Sequence, residues 1–416
     1  MNNNTLLLIL LEIATIIGLA RLVGLLFFYF KQPQVMGEIV AGIMLGPSLL
    51  GWIAPNFFKT LFPSTTTPFL YLLSQIGLIF FMFLVGLELN PKYLRHKLKI
   101  AILTSNISIL LPFILGVILA FTILYKINNL SQVSFVAFAL FVGAAMSITA
   151  FPVLARILTD KKLAQTPLGT LALTCASVDD ISAWCLLAIA ITVTRTNNVL
   201  GAIPTILYIG IYGTVMIVFG RKVLKRLVRS YDRTGQLEQW LLTLIYIAVI
   251  LSAVMTEWIG IDVIFGGFLL GAVMPKNIGL TNDLTAKTED FVSTFLLPIF
   301  FAYSGLNTQF NLLNTPYLWG ICGLVILAAI VGKYVGVYGT TRFYGVEKRE
   351  AQALGWLMNT RGLTELIILN VGLQLKVISP VIFTMFVIMA LVTTLITSPL
   401  VEWVYPKSLV MADNQS

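Results

Sequence analysis

From Leu6 to Trp403 the sequence is a succession of apolar runs separated by short polar loops. Many of the runs approach the roughly 20 residues that carry an α-helix across a bilayer. Among its 416 residues, 58% are hydrophobic and only 11% are charged, against about 25% charged in soluble domains. The class is therefore an all-α polytopic membrane protein. Thirteen runs stand out, near 5–30, 35–52, 69–89, 98–124, 133–156, 166–194, 199–220, 237–257, 260–275, 290–306, 315–341, 350–373 and 378–404. The second, ninth and tenth are the shortest. The start, "MNNNTLLLILLEIATIIGLARLVGLLFF", has neither a basic n-region nor a small-residue cleavage site, so it reads as a retained span. Residues 1–416 form a single transmembrane domain in this reading, with 405–416 as a short cytoplasmic tail.

The basic residues orient the chain. With the N-terminus outside, twenty of the 27 lysines and arginines fall in cytoplasmic segments, including Lys92, Arg95, Lys97, Lys276, Lys407 and the cluster from Arg221 to Arg233. Only Lys59, Lys126, Arg195 and Lys376 fall outside, and Arg21, Lys333 and Arg361 lie within spans. Such a bias is the positive-inside signal, and an odd number of spans then leaves the C-terminus in the cytoplasm. The net charge of +9 accordingly reports topology, not nucleic-acid binding. Cys175, Cys185 and Cys322 sit in apolar runs and the single histidine, His96, sits in a basic loop. No zinc or haem site follows, and no cofactor is expected.

The halves of the chain echo each other. "GEIVAGIMLGP" (Gly37 to Pro47) resembles "DVIFGGFLLGAVMP" (Asp262 to Pro275), with Gly42 and Gly46 against Gly267 and Gly271. "FLVGLELN" (Phe83 to Asn90) resembles "AYSGLNTQ" (Ala302 to Gln309). Spans one to six (about 5–194) pair with eight to thirteen (about 237–404), and span seven (199–220) is the linker. Partners are seven spans apart, so they cross in opposite directions. Inverted repeats of this kind build many secondary transporters, with the ion site near the midplane. The same alignment pairs span five, interrupted at Thr149 to Pro152, with span twelve, interrupted at Asn359 to Gly362. One proline kink in a membrane helix is ordinary. Breaks at corresponding places in both halves point to a transport site.

Asp179 and Asp180 lie about halfway along span six, where a charge is costly and marks function by default. Neighbours on a helix point about 100° apart, so the two acids must face different surroundings. Lys333, about nine residues or 14 Å from the cytoplasmic end of span eleven at 1.5 Å per residue, is the available partner for one of them. Glycines 332, 336 and 339 would let a neighbouring helix come close to it. The second acid is then free to exchange a small cation for a proton. Arg361 stands at the span-twelve break with Glu365 four residues on, a pairing distance on a helix, and Glu38 is another available partner. Arg361 reads as structural. Glu12, Glu88, Glu257 and Arg21 lie near segment ends, where they are expected to face the membrane interface.

"SITAFPVLARIL", "SVDDISAWCLLA", "GEIVAGIMLGP", "VGKYVGVY" and "NTRGLTELIILNVGL" together resemble the cation:proton antiporter-2 superfamily of Na⁺(K⁺)/H⁺ exchangers, over nearly the whole chain. The resemblance implies thirteen spans, two crossing broken helices, a homodimer and an elevator-like cycle. It also implies that Asp180 is the cation ligand and proton carrier, and that Asp179 forms a releasable ion pair with Lys333. Thr149 and Ser147 would complete the cation shell. Two aspartates with this lysine resemble the Na⁺-preferring branch, with Li⁺ or K⁺ as further ions. "SITAFPVLARIL" and "DDISAWCLLA" also resemble plant and cyanobacterial relatives of mixed preference, so a K⁺/H⁺ antiporter is the first alternative. Relatives with soluble nucleotide-binding C-terminal domains extend well beyond "VYPKSLVMADNQS", so no such domain is expected here. The implied location is a bacterial inner (plasma) membrane, or a thylakoid membrane for a cyanobacterial source.

Enzymatic readings fare poorly. An intramembrane aspartyl protease needs its acids on facing helices, and 179–180 are adjacent. A transport ATPase needs a Gly-rich phosphate loop with its lysine, which the chain lacks. A sodium-coupled solute symporter and a cation channel remain as rivals of the transporter class.

Overall fold

The structure is a computed structural model; it describes residues 3–88, 98–130, 133–164, 166–196, 203–259, 262–275 and 277–406. His96, Lys92, Arg95, Lys97, Lys276, Lys407 and most of the tail assigned to 405–416 lie outside the described residues. The described residues form helices and no strands. Among the described residues ten helices are long and apolar enough to cross a membrane, and three shorter apolar ones are Phe135–Ser147, Val263–Val273 and Leu363–Gln374. The short helices fall in the fifth, ninth and twelfth runs rather than the second, ninth and tenth. The fifth and twelfth runs are cut by their breaks. The second continues past its bend to Ile53, and the tenth extends from Gly279 to Leu312 because its polar first turns are helical too.

Several helices start where the sequence says they should. Thr315 accepts a hydrogen bond from the backbone N–H of Leu318 ahead of Pro316, and Ser379 accepts one from Ile382 ahead of Pro380. A hydroxyl cap meets an otherwise orphan N–H, and proline in the first turn gives up a donor the helix does not need.

The chain folds as two compact units. One comprises Met1–Val23, Glu38–Asn90 and Asn198–Leu306; the other comprises Gly24–Gly37, Pro91–Asn197 and Asn307–Ser416. Each draws on both halves of the sequence.

In the first unit the repeated glycine motif brings backbones together. A Cβ on Gly42 would stand 2.2 Å from the carbonyl oxygen of Phe301, and one on Gly267 would stand 2.3 Å from that of Ile79. Only glycine permits either crossing. Glu12 departs from expectation, because it is fully buried instead of facing the interface. The hydroxyl of Thr66 donates to its Oε1 at 2.6 Å, which lets a carboxyl group sit inside.

With Pro380–Val404 packed beside them, five elements of the second unit position the site. They are Leu98–Leu119 (the serine helix), Phe135–Ser147 with Phe151–Asp160 (the first broken pair), Pro167–Thr196 (the aspartate helix), Pro316–Phe343 (the lysine helix), and Lys348–Leu357 with Leu363–Gln374 (the second broken pair). The serine and lysine helices pack closely at Gly332, where a Cβ would be 2.9 Å from Pro112 Cα, and at Gly336, where it would be 3.1 Å from the Ile107 carbonyl. Gly339 takes no part, with nothing within 4 Å of its would-be Cβ.

Candidate ion-exchange site

The aspartate helix runs thirty residues without interruption and carries both acids midway. Asp179 and Asp180 are both buried, at 0% and 1% exposure. As the 100° step between neighbours requires, they look in different directions.

Asp179 turns to the serine and lysine helices. Lys333 Nζ lies 2.7 Å from its Oδ2, and both side chains are wholly buried. Ser105 donates its hydroxyl proton to Oδ1. Ser108 Oγ lies 3.2 Å from Oδ1 and 3.0 Å from Oδ2, and it accepts from Lys333 Nζ at 3.2 Å. Thr149 Oγ1 is 2.8 Å from Oδ2 and 2.9 Å from the carbonyl oxygen of Met358. One hydroxyl has one proton, so Thr149 can serve Asp179 or Met358 at any moment. A buried ion pair persists only when further hydrogen bonds satisfy its remaining lone pairs, and Asp179 has them.

Asp180 faces the first break. The backbone N–H of Phe151, the first residue of Phe151–Asp160, donates to its carboxylate. The start of a helix concentrates unpaired N–H groups and partial positive charge, which favours an anion there. Its other polar contact is missing: Oδ1 has no hydrogen-bond partner among the described residues. Of the two acids, one is fully engaged and the other holds an oxygen in reserve.

The two breaks meet. The backbone N–H of Ala150 donates to the carbonyl of Thr360 at 2.9 Å, so unwound backbone in one pair satisfies unwound backbone in the other. Arg361, in the second break, reaches to the end of the first half-helix. Its guanidinium donates to the carbonyls of Ala145 at 2.9 Å and Met146 at 2.6 Å. A cation at a helix C-terminus answers both the orphan carbonyls and the dipole. Thr394 fixes the backbone of Arg361 from a third helix, accepting its N–H at 2.7 Å and donating to its carbonyl at 2.6 Å. Glu365 Oε2 lies 3.6 Å from Arg361 Nη1, an electrostatic contact longer than a hydrogen bond. Arg361 belongs to the break between Lys348–Leu357 and Leu363–Gln374, and Glu365 to the first turn of the following helix.

Of the residues singled out in the sequence, the structure thus brings together Asp179, Lys333 and Thr149, with Asp180 beside them at the first break. Arg361 and Glu365 form a neighbouring pair. Ser147 is buried, but its hydroxyl donates back to the carbonyl of Ala144 at 2.9 Å, within its own helix. Two participants went unnoticed in the sequence, Ser105 and Ser108. The signal was present in "LTSNISILLP": residues three apart share a helix face, and four polar side chains sit in five positions of an apolar run. The backbone participants, Phe151 N–H and the carbonyls of Ala145, Met146 and Met358, leave no such trace.

A sequence profile described as "Sodium/hydrogen exchanger, transmembrane" matches residues 13–405. The chain belongs to the sodium/hydrogen exchanger family. Among relatives of this family, it is 70% identical over 406 residues to a protein of Synechocystis sp. named Na(+)/H(+) antiporter NhaS4, covering 98% of this chain and 99% of that one. It is 40% identical to cation/H(+) antiporter 19 of Arabidopsis thaliana, over 96% of this chain and 50% of the relative. It is 34% identical to K(+)/H(+) antiporter 1 of Saccharomyces cerevisiae, over 98% of this chain and 47% of the relative. The chain therefore spans about half the length of the plant and yeast exchangers, and nearly all of the first. The fold is shared with the sodium proton antiporter MjNhaP1 from Methanocaldococcus jannaschii, at a TM-score of 0.67 and 15% identity, covering 96% of this chain and 100% of that one.

Proposed function

We propose that the chain is a secondary antiporter that exchanges Na⁺ for H⁺ at Asp180, with Asp179 and Lys333 as a releasable ion pair beside it. The observation that carries this reading is the unequal treatment of two adjacent acids. Asp179 is met by an ammonium and three hydroxyls. Asp180 has one backbone donor and one free oxygen. A proton or a small cation can satisfy that oxygen, and neither can do so while the other is bound. Mutual exclusion at one oxygen couples two opposed ion movements without any covalent chemistry. Thr149, whose hydroxyl can turn from Asp179 to the Met358 carbonyl, would supply a further oxygen to the cation, and Arg361 with Glu365 would hold the crossing of the breaks in place. Ser147, bonded within its own helix, would join the shell only by turning.

The repeat supports alternating access. Gly42 meets Phe301 as Gly267 meets Ile79, a close approach between corresponding spans with the halves exchanged, displaced by about one helical turn. Read with the paired breaks, this favours thirteen spans in two inverted repeats, 5–194 and 237–404, around the 199–220 linker. The basic loops favour an outside N-terminus and a cytoplasmic C-terminus. A homodimer in a bacterial plasma membrane or a thylakoid membrane fits the family resemblance.

Purified protein in acid-interior vesicles with a pH-sensitive dye tests the exchange. Adding Na⁺ should dequench the dye in wild type and fail to do so with Asp180→Asn. Full exchange by Asp180→Asn would overturn the assignment. The name of the yeast relative makes K⁺ the competing ion, and K⁺ and Li⁺ added in parallel decide between them. Dequenching by K⁺ with none by Na⁺ would replace Na⁺ in this reading.

A further inference from the structure

Ser105 and Ser108 do something unusual for hydroxyls in an apolar helix. A serine or threonine there commonly bonds to a carbonyl of its own helix, four residues back. Thr174, Ser177, Ser182 and Thr192 on the aspartate helix all do so, at 2.7 to 2.9 Å. Ser105 and Ser108 instead direct their protons across a helix interface to Asp179. Both are completely buried, while Asn106, between them in sequence, is exposed.

Their placement on the carboxylate is also informative. Lys333 and Thr149 approach Oδ2. Ser105 holds Oδ1, the oxygen away from the ammonium, and Ser108 lies against both. An ionised carboxylate offers about four acceptor sites, and three of the four donors here are hydroxyls. When Lys333 departs, Ser105 and Ser108 remain on the carboxylate even if Thr149 turns to the Met358 carbonyl. Ser108 has a second part, since the same oxygen that donates to Asp179 accepts from Lys333.

We infer that Ser105 and Ser108 are positioning residues, a hydroxyl cradle that carries the charge of Asp179 while Lys333 is released. The inference rests on the exchange reading above. A bare buried carboxylate would have to hold its lysine or take up a proton. The cradle makes a third course open to it, and so lets the ion pair part during the transport cycle. The ionisable groups around Asp179 are Asp180 and Cys175 on its own helix, Lys333 opposite, and Arg361 and Glu365 beyond Lys333. The serine helix contributes hydroxyls alone.

The test is Na⁺-driven dye dequenching across a pH series in vesicles, using wild type, Ser105→Ala, Ser108→Ala, the double alanine variant, Ser105→Thr, Ser108→Thr and Asp180→Asn. Without the hydroxyls, the bare carboxylate parted from Lys333 takes up a proton at lower proton concentrations, so the charged, lysine-free state is reached only at higher pH. The pH of half-maximal exchange should therefore move alkaline, by about two units in the double variant, given the strength of hydrogen bonds to charged groups. Each single alanine variant should move it part of the way, which keeps the test open if the double variant does not fold. The threonine variants, which keep the hydroxyl, should follow wild type. A pH curve that keeps its midpoint and merely scales in height would overturn the cradle, as would threonine variants that shift like alanine. Normal exchange by Asp180→Asn sinks the underlying reading instead, so the two failures are told apart.

Discussion

Replacing Lys333 by methionine should destabilise the protein more than most single changes, and a second replacement should undo much of the harm. Methionine keeps the length of the lysine stem and removes the ammonium. Asp179 is then a buried charge without its counter-ion, since both partners are 0% exposed and 2.7 Å apart. Breaking a buried pair by removing one partner costs about 3–5 kcal/mol. The hydroxyls of Ser105, Ser108 and Thr149 remain on the carboxylate, which places the expected cost near the lower end, about 3 kcal/mol. Changing Asp179 to asparagine in the same chain removes the stranded charge and leaves a carbonyl oxygen for those hydroxyls. Replacement of both members of a buried pair is often close to neutral, so the double variant should recover about 2 kcal/mol or more of the loss. Midpoints of thermal unfolding in detergent for wild type, Lys333→Met, Asp179→Asn and the pair complete a double-mutant cycle. Strictly additive effects in that cycle, or a Lys333→Met protein as stable as wild type, would refute the reasoning.

Other expectations follow from neighbouring contacts. Thr149→Val keeps the shape and removes a hydroxyl shared by Asp179 and Met358; the apparent KM for Na⁺ in vesicles should rise about tenfold, the worth of one hydrogen bond to a charged group. Arg361→Gln strips charge from two carbonyls at the end of Phe135–Ser147; a loss of about 1–3 kcal/mol in stability should show as a lowered unfolding midpoint, and an unchanged midpoint would dismiss the cap. Gly42→Ala places a Cβ 2.2 Å from the Phe301 carbonyl; overpacking of this sort costs about 1–3 kcal/mol and should lower the yield of folded protein on size-exclusion chromatography. Lys333→Ala should be measured with and without a voltage clamp across the vesicle membrane. If the lysine carries a proton of the cycle, exchange persists in the variant while its dependence on voltage is lost.

The fold was legible where composition and chemistry coincide. Long apolar runs leave a chain little choice but membrane helices, and a proline or glycine in the same place of two halves marks a break in each. Asp179, Asp180 and Lys333 announced themselves because charge in an apolar run is expensive. What the sequence concealed was direction. Ser105 and Asn106 look alike in a string of letters, yet one is buried on Asp179 and the other is exposed. Glu12 seemed destined for the interface by its place near the start, and Thr66, more than fifty residues away, accommodates it inside. The backbone groups at the site are invisible to any reading of side chains, because every residue has the same N–H and carbonyl. Their importance comes from where two helices stop, and that is decided by contacts distant in the chain.

The stitching of the two breaks also sets a timetable. Thr149 and Met358 are 209 residues apart in the chain, and Arg361 lies 215 and 216 residues beyond the carbonyls of Met146 and Ala145 that it caps. At a synthesis rate of roughly 5–20 residues per second, the second strand of this joint emerges about ten to forty seconds after the first. Over that interval the first broken helix stands in the bilayer, or beside the insertion machinery, with its C-terminal carbonyls uncapped. Lys333, 154 residues after Asp179, arrives a little earlier than Arg361. The newborn chain thus acquires Asp179 well before the lysine that answers it, and the last quarter of the polypeptide completes what the first half began.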